Sequence, residues 1–448
     1  MEREERSARA RQLADESAAR GVRAVALTFV DNAGVTRVKT VPVGRFGHAA
    51  AWGVGMSPVF DVFLLDDSIT TSRHIGGPVG DLRLYPDLDR FTVLAAQPGW
   101  AWAPADRLTQ EGEPHAGCQR TFARTAAERA RRRGVDLRMA FEVEWFVGTD
   151  DAAPACHGPA YGMTRVVELS SYVDSLLAAL DAQDVPVEQF HPEYAPGQLE
   201  ISVGADDPVA AADRQVLVRQ TIRAVSQSFG HRVSFAPVVV AGQVGNGQHL
   251  HLSAWSHGRN LFSGGDGPHG LTTQGETILA HLLDRLPALA AIGAPSVASH
   301  LRLVPQHWAA PYQCWGHENR EAALRLVTGS LGERDTAANA ELKCCDGAAN
   351  PYLLVGAVAA VVAGAAGGDR RLPPGIDVDP AQLPEAGRPP RLPGGVDEAV
   401  EALRRDDLLP AALGEPLLEA FCAVRRAEAE LFRTADPAAI AEAGRWRY

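Results

Sequence analysis

The sequence predicts a chain of mixed α and β structure in two unequal parts. Three observations carry that expectation. Residues up to about 110 open on a strand–turn–strand pattern and continue into a stretch rich in Pro, Gly, Trp and Asp. From 135 to 360, segments of period-two alternation take turns with helical runs. At 448 residues the chain is long enough for two or three domains of about 150 residues.

The elements follow in order. Residues 1–21 read as a polar helix. RAVALTFVD (23–31) alternates apolar and polar residues and ends in the turn Asp31-Asn32-Ala33-Gly34, after which VTRVKTVPV (35–43) completes a hairpin. FTVLAA (91–96) reads as a further strand. Thr121 to Arg133 is a basic helix closing at Gly134, its Arg131-Arg132-Arg133 run a solvated end near the negative pole of the helix dipole. The longest apolar stretch, PYLLVGAVAAVVAGAAGG (351–368), starts at Asn350-Pro351 and stops at Gly367-Gly368. Its Ala and Gly content makes it a buried core helix rather than a membrane span. Residues 369–396 form an exposed Pro/Gly loop, and 397–433 two amphipathic helices.

Composition narrows the function classes. With 46% hydrophobic and 22% charged residues the chain is globular, not disordered, collagenous or a coiled-coil rod. Forty-three basic against fifty-five acidic residues give a net charge of −12, which speaks against nucleic acid as the main partner. The six cysteines show no CxxC spacing and read as reduced thiols of a cytoplasmic protein, and the charged N-terminus lacks an apolar signal-peptide core.

Four segments concentrate chemistry. In FEVEWF (141–146), strand alternation puts Glu142 and Glu144 on one face, where they repel unless a cation sits between them; a plain exposed polar face is the alternative. EQFHPEYAPGQLEIS (188–202) supplies Glu188, Glu193 and Glu200, or simply surface acids. GNGQHLHLSAW (245–255) puts His249 and His251 on one strand face behind glycines that let backbone approach a ligand, though a lone histidine is commonly a core residue. Between 301 and 352 lie Arg302, Arg320 and Arg325, then Glu341 and Lys343, suited to clamp carboxylate or phosphate, or to form surface ion pairs. Together, glutamates with a single imidazole describe Mg²⁺ or Mn²⁺ rather than structural zinc, and divalent ions beside arginines describe phosphoryl transfer. No Walker, kinase or Rossmann segment is present, so a nucleotide is held another way.

These motifs, from VDNAGVTRVKTVP through FEVEWF, HPEYAPGQLE, GNGQHLHLS, RLVPQHWAAP, ENREAALR and ANPYLL to Trp446-Arg447-Tyr448, resemble the glutamine synthetase family over nearly the whole chain. The resemblance implies an α+β fold: an N-terminal β-grasp domain (1–112) and a catalytic domain (113–448) built on a large, mainly antiparallel sheet. It implies a homo-oligomer, a dodecamer of two stacked rings with active sites between subunits, and small-molecule substrates with neither nucleic acid nor membrane as partner. It implies ATP and two or three Mg²⁺ or Mn²⁺ ions per site. By resemblance Glu144, Glu193 and Glu200 hold the ion on the acid substrate, and Glu142, His249 and Glu341 hold the ion on the nucleotide phosphates. Glu188, His251 and Ser253 fall at the nucleotide, Arg302 at the substrate α-carboxylate, Arg320 and Arg325 at the transferring phosphoryl group, and the Gly245 backbone at the glutamate site.

The departures point to a different second substrate. Trp308, in Pro305-Gln306-His307-Trp308-Ala309-Ala310-Pro311, stands where the family carries its ammonia-handling glutamate. The Asp-Gly-Ser-Ser loop of the ammonium site is replaced by GVGMSPVFDVF (53–63). An indole offers apolar surface or a cation–π platform, which suits a larger amine. The expectation is a ligase making a γ-glutamyl amide from a polyamine, ethanolamine or an alkylamine. True glutamine synthesis from ammonia and a non-catalytic structural or nitrogen-sensing role are the alternatives. Asp61 and His307 are candidates for the base that deprotonates the amine. Val244, Lys343 and Asn339 replace an asparagine and two arginines of the family, leaving glutamate or an analogue as the acid. The adenylylated tyrosine of some members is absent from PPRLPGG (389–395).

Overall fold

The structure is a computed structural model that describes residues 2–448. The predicted hairpin forms as β1 (Ala24–Val30) and β2 (Thr36–Pro42), paired antiparallel from Ala24 opposite Pro42 to Val30 opposite Thr36. Its turn is closed by Asp31, whose carboxylate accepts from the Ala33 and Val35 N–H groups, both at 2.9 Å, and pairs with Arg37 at 2.7 Å. Four more strands, β3 (Val54–Met56), β4 (Leu82–Pro86), β5 (Thr92–Val93) and β6 (Trp100–Leu108), complete a six-stranded sheet in the order β2-β1-β6-β4-β3, with β5 beside β6. Helices Arg3–Ala19 and Phe46–Trp52 close over it, so that Ala10, Ala14, Phe46 and Ala50 share a core with Leu27, Leu84 and Ala103.

Two local expectations need correction here. FTVLAA contributes a two-residue strand only, because the chain turns at once: the Trp100 N–H returns to the Gln97 carbonyl. The central strand is instead β6, masked in sequence by Pro104, a residue that ordinarily argues against an inner strand. It is tolerated where β6 runs parallel to β1, opposite Thr28.

The large sheet comprises β7 (Asp136–Gly148), β8 (Val187–Pro192), β9 (Gln198–Val203), β10 (Arg232–Ser234), β11 (Leu250–Ser256), β12 (Arg259–Asn260), β13 (Trp315–His317), β14 (Leu324–Val327) and β15 (Asn339–Leu342). Its order is β13-β14-β15-β11-β7-β9-β8, with β10 beside β7 and β12 beside β11. Every pair is antiparallel except β13 with β14. Period-two alternation sorts the side chains. Phe141, Val143, Trp145, Leu199, Ile201, Leu250, Leu252, Leu324 and Leu342 are buried in the main core, each contributing about 1.5–3 kcal/mol by leaving water. Helices Gln119–Arg132 and Pro208–Ser228 pack on β7, and the Ala-rich helix Pro351–Ala365 packs on both of them. That helix starts where predicted: the Asn350 side-chain oxygen accepts from the N–H groups of Tyr352 and Leu353, while its amide donates to the carbonyls of Val30 and Asp31, tying the two sheets together. Among the described residues no helix is long and apolar enough to cross a membrane.

The C-terminal region has more elements than expected. Beyond the loop 369–396, helices Val396–Arg405 and Glu415–Leu431 are separated by a short one, Leu409–Leu413, and followed by Pro437–Gly444. The predicted pair is broken because Asp406 recaps the chain, accepting from Leu408 and Leu409, and Gly414 turns it at φ 78°.

Candidate active site

The opposite face of the large sheet is polar, and strand register brings its side chains together. Glu144 stands opposite Glu200, Glu142 opposite Ser202, His251 opposite Glu341, and Arg325 opposite Glu341. All of these but His251 line a cavity of about 520 Å³ that also takes in Tyr161, Gln189, His191, Glu193, Val244, Gly245, His249, Arg302, His307, Trp308, Arg320 and Lys343. A cavity of this size holds one small-molecule reaction.

Gly245 and Gly247 make the close approach possible. A β-carbon on Gly245 would lie 1.9 Å from the Pro237 carbonyl oxygen, and one on Gly247 would lie 2.6 Å from Glu144 Oε1. The Gly245 carbonyl and Glu144 Oε2 share one donor, the Gln198 amide, at 2.9 and 2.8 Å.

Two sets of residues each bring their metal-ligating atoms within 4.8 Å of one another. One is Glu142, His249 and Glu341; the other is His191, Glu193 and Glu200. His249 Nδ1 lies 3.1 Å from both Glu142 Oε2 and Glu341 Oε1. His191 Nε2 lies 2.9 Å from Glu193 and 3.6 Å from Glu200. Glu144, expected with Glu193 and Glu200, stands beside that set, 3.9 Å from His249 Nε2.

The electrostatics divide the cavity. On one side, burial, then Glu142, Glu144 and Glu193, push Glu200 up to about 10, and burial raises Glu144. On the other, burial opposes ionisation of Glu341 but Lys343 and His249 outweigh it and hold the carboxyl well below its usual range. Lys343 Nζ and Arg325 Nη1 each lie 3.0 Å from Glu341, and Arg325 Nη2 reaches Glu318 at 2.8 Å. Burial works against the charged form of His251, yet Glu142 raises it to about 9. One side is rich in uncompensated carboxylate, the other has carboxylates fully supplied with cations.

The remaining expected residues are placed as follows. Arg302 is buried, donating to the Cys345 carbonyl at 2.8 Å, with its Nε 3.8 Å from Asp346 Oδ2. Arg320 is exposed at the cavity. Ser253 lies along the same β11 face as His249 and His251, holding the Trp255 indole N–H at 2.8 Å outside the cavity lining. Glu188 is the extra residue at a bulge between Val187 and Gln189, so it is exposed and Gln189 takes the cavity position. Asn339 Oδ1 accepts from the His251 Nδ1–H, 2.8 Å away. Asp61 is not available as a base. It is fully buried, its two oxygens taken by Arg107 at 2.6 Å and His115 at 2.7 Å. Burial pushes its carboxyl up, but Arg107 and His115 outweigh that and hold it below the usual range. His307 does face the cavity.

Sequence reasoning missed His191, Gln198, Tyr161 and Tyr194. His191 shares strand parity with Glu193, and Gln198 with Glu200, so alternation alone could have found both. Tyr161 sits in a loop at φ 57°, where no periodicity marks it.

An α+β fold whose sheet turns a face of paired carboxylates, imidazoles and buried arginines toward one cavity defines an enzyme that binds small anionic and cationic groups side by side. The family model for the glutamine synthetase catalytic domain matches residues 116–440. The γ-glutamylpolyamine synthetase GlnA3 of Streptomyces coelicolor is 55% identical over 98% of this chain and 97% of that protein. The glutamate–methylamine ligase of Methyloversatilis universalis is 28% identical over 91% and 92%. A solved structure of a novel glutamine synthase homolog superposes with a TM-score of 0.85 at 32% identity, covering 94% of this chain and 97% of that one. This chain belongs to the glutamine synthetase family and is a ligase that forms C–N bonds.

Proposed function

We propose that the protein joins the γ-carboxylate of glutamate to an organic amine, with a polyamine as the amine, at the expense of ATP. The observation that carries this is the half-exposed Trp308 at the mouth of a carboxylate-lined cavity. The similarity to a γ-glutamylpolyamine synthetase supports the choice of amine.

The residues present fit divalent cations. Burial and the neighbouring carboxylates Glu142, Glu144 and Glu193 raise Glu200, and burial and Glu193 raise Glu144, the condition a cation relieves. Glu142, His249 and Glu341 would hold one ion, and Glu144, Glu193 and Glu200, with His191 in reach, another. All-oxygen donors with one imidazole suit Mg²⁺ or Mn²⁺, which supply charge neutralisation and orientation for ATP phosphates and carboxylate.

The chain's own groups then act in order. Arg302, buried at the cavity lining, grips the α-carboxylate. The Gly245 backbone and Gln198 set the floor of the glutamate site. A γ-carboxylate oxygen attacks the γ-phosphorus of ATP and ADP leaves. Arg325, fixed between Glu341 and Glu318, and Arg320, free at the cavity, stabilise the charge that spreads over the phosphoryl oxygens. The neutral amine attacks the acyl carbon, phosphate leaves, and the amine proton passes to a base, for which His307 is in place. His251 and Ser253 extend the β11 face toward the nucleotide, and Glu188 at the bulge flanks it. The products are a γ-glutamyl amide, ADP and phosphate.

We further place the protein in the cytoplasm, a reading its six free, buried cysteines support, as a dodecamer of two stacked rings divided into domains 1–112 and 113–448. The deciding measurement is ADP release with Mg²⁺, ATP and glutamate across ammonium, ethanolamine, alkylamines, putrescine and spermidine. Turnover dominated by a polyamine supports the reading; turnover with ammonium alone overturns it.

A further inference from the structure

The aromatic residue at the cavity mouth does not stand alone. The Trp308 indole packs against the Tyr194 ring, centroids 5.0 Å apart at 52°. Tyr194 follows Glu193, and its N–H donates to Glu193 Oε2 at 3.0 Å; the Tyr161 hydroxyl donates to the same oxygen at 3.0 Å. Trp308 is 40% and Tyr194 45% exposed, so two large apolar faces meet water where the fold does not need them. The Trp308 backbone N–H donates to Glu321 Oε1 at 3.1 Å. The chain invests strain to present this indole: Gln306, Trp308 and Ala310 all have φ between 53° and 63°.

Glu321 completes a pattern. It is half-buried, and among the described residues it has no ion-pair partner. Asp379 adds a second negative charge nearby, and burial pushes the Glu321 carboxyl above its usual range. Contacts thus run from Glu193 at the cavity to Tyr194, from the Tyr194 ring to the Trp308 indole, and from the Trp308 backbone to Glu321. A monoamine has use for one carboxylate and some apolar surface. A molecule with a reacting amine and a second ammonium separated by methylenes uses the rings and Glu321 together, its methylenes over the rings and its second charge at Glu321.

We propose that Glu321, together with the Trp308–Tyr194 pair, is the subsite for the second, non-reacting ammonium of a diamine or polyamine. This deepens the amide-ligase reading above and rests on it. Glu321 is then a specificity-determining residue that reads the charge at the far end of the amine, while Trp308 and Tyr194 read its carbon chain.

The test compares putrescine with n-butylamine, which shares its four carbons and lacks its second nitrogen. In Glu321→Gln the side-chain carbonyl still accepts the Trp308 N–H, so the loop keeps its anchor while the charge is lost. The ratio of kcat/KM for putrescine to that for n-butylamine is expected to fall on the order of tenfold, mostly through KM for putrescine, as for loss of one charge-assisted contact. Glu321→Asp, which keeps the charge, is expected to retain most of the preference. A preference ratio unchanged in Glu321→Gln overturns the subsite while leaving the ligase reading intact. Failure of the unaltered enzyme to use any organic amine, with ammonium consumed, overturns the ligase reading itself.

Discussion

Glu144 on β7 and Glu200 on β9 face each other directly across an antiparallel pair, both less than a tenth exposed. Burial and neighbouring carboxylates oppose ionisation of both, a cost offset by burying the large side chains of the sheet's other face, about 1.5–3 kcal/mol each. The apolar side of the sheet thus holds in place a polar side that would not assemble by itself. The same strands do both, because alternation sends Val143 and Trp145 one way and Glu142 and Glu144 the other.

The first prediction concerns pH and metal. Glu200 is raised to about 10 in the folded protein from an ordinary value of 4.5. The metal-free folded state therefore binds more protons than the unfolded chain between those values, and its stability falls as pH rises through that window. Mg²⁺ or Mn²⁺ takes the place of the proton, so metal uptake releases protons and tightens with pH. Thermal unfolding across that range, with chelator and with Mn²⁺, measures this: the slope with chelator is expected to be negative and to flatten with Mn²⁺. Glu200→Gln is expected to raise metal-free stability by about 1–2 kcal/mol and to abolish most of the stabilisation by metal.

How much of this was legible in advance depends on where each residue sits. Glu142 and Glu341 occupy regular strands and His249 directly precedes β11, where parity decides which face a side chain takes, and they do come together. Trp308 shows in sequence as an indole in place of an acid, but its partner Tyr194 and the carboxylate of Glu321 come from segments with no shared period. A loop's contacts depend on tertiary closure, which pattern does not carry. Glu188 illustrates a different limit: one bulged residue shifts parity, and its side chain turns outward. The fold was legible in its hairpin and its capped apolar helix, and illegible at β6, where a proline hides an inner strand.

Gly245 provides a second prediction. In Gly245→Ala the new methyl would meet the Pro237 carbonyl oxygen at 1.9 Å and Arg302 Cγ at 3.0 Å. Neither the backbone at Pro237 nor the buried arginine can give way without disturbing the glutamate site. The expected result is a loss of about 1–3 kcal/mol in denaturant unfolding. KM for glutamate should rise at least about tenfold, since Arg302 would be displaced from the α-carboxylate.

Arg325 provides a third. Its two terminal nitrogens bridge Glu341 and Glu318, a fork that a lysine ammonium cannot reproduce. Arg325→Lys is expected to lower kcat about a hundredfold, because the charge is retained but no longer aimed at the phosphoryl group. Mn²⁺ affinity, read by stabilisation against heat, should change only a few-fold, because Lys343 and His249 still flank Glu341. A loss of metal binding equal to the loss of kcat would instead make Arg325 a support of the metal site.

The last prediction separates Asp61 from the chemistry. Asp61 is enclosed between Arg107 and His115, and Arg107 Nη2 goes on to Gln119, whose amide donates to Asn32 at 2.8 Å. The cluster pins the loop before β4 to the start of the helix Gln119–Arg132. Removing one partner of a buried pair leaves the other charge uncompensated, so Asp61→Asn is expected to cost about 3–5 kcal/mol. The kcat of the protein that remains folded should stay within about twofold, since Asp61 has no free oxygen to offer an amine. Its pKa is depressed in the fold, so its contribution is present above the ordinary carboxylate value and is lost as pH falls below it. Acid unfolding of the unaltered protein should therefore be steeper than that of the variant. If instead kcat collapses while the unfolding midpoint is unmoved, Asp61 acts in the reaction, and the amine's proton has a different destination from His307.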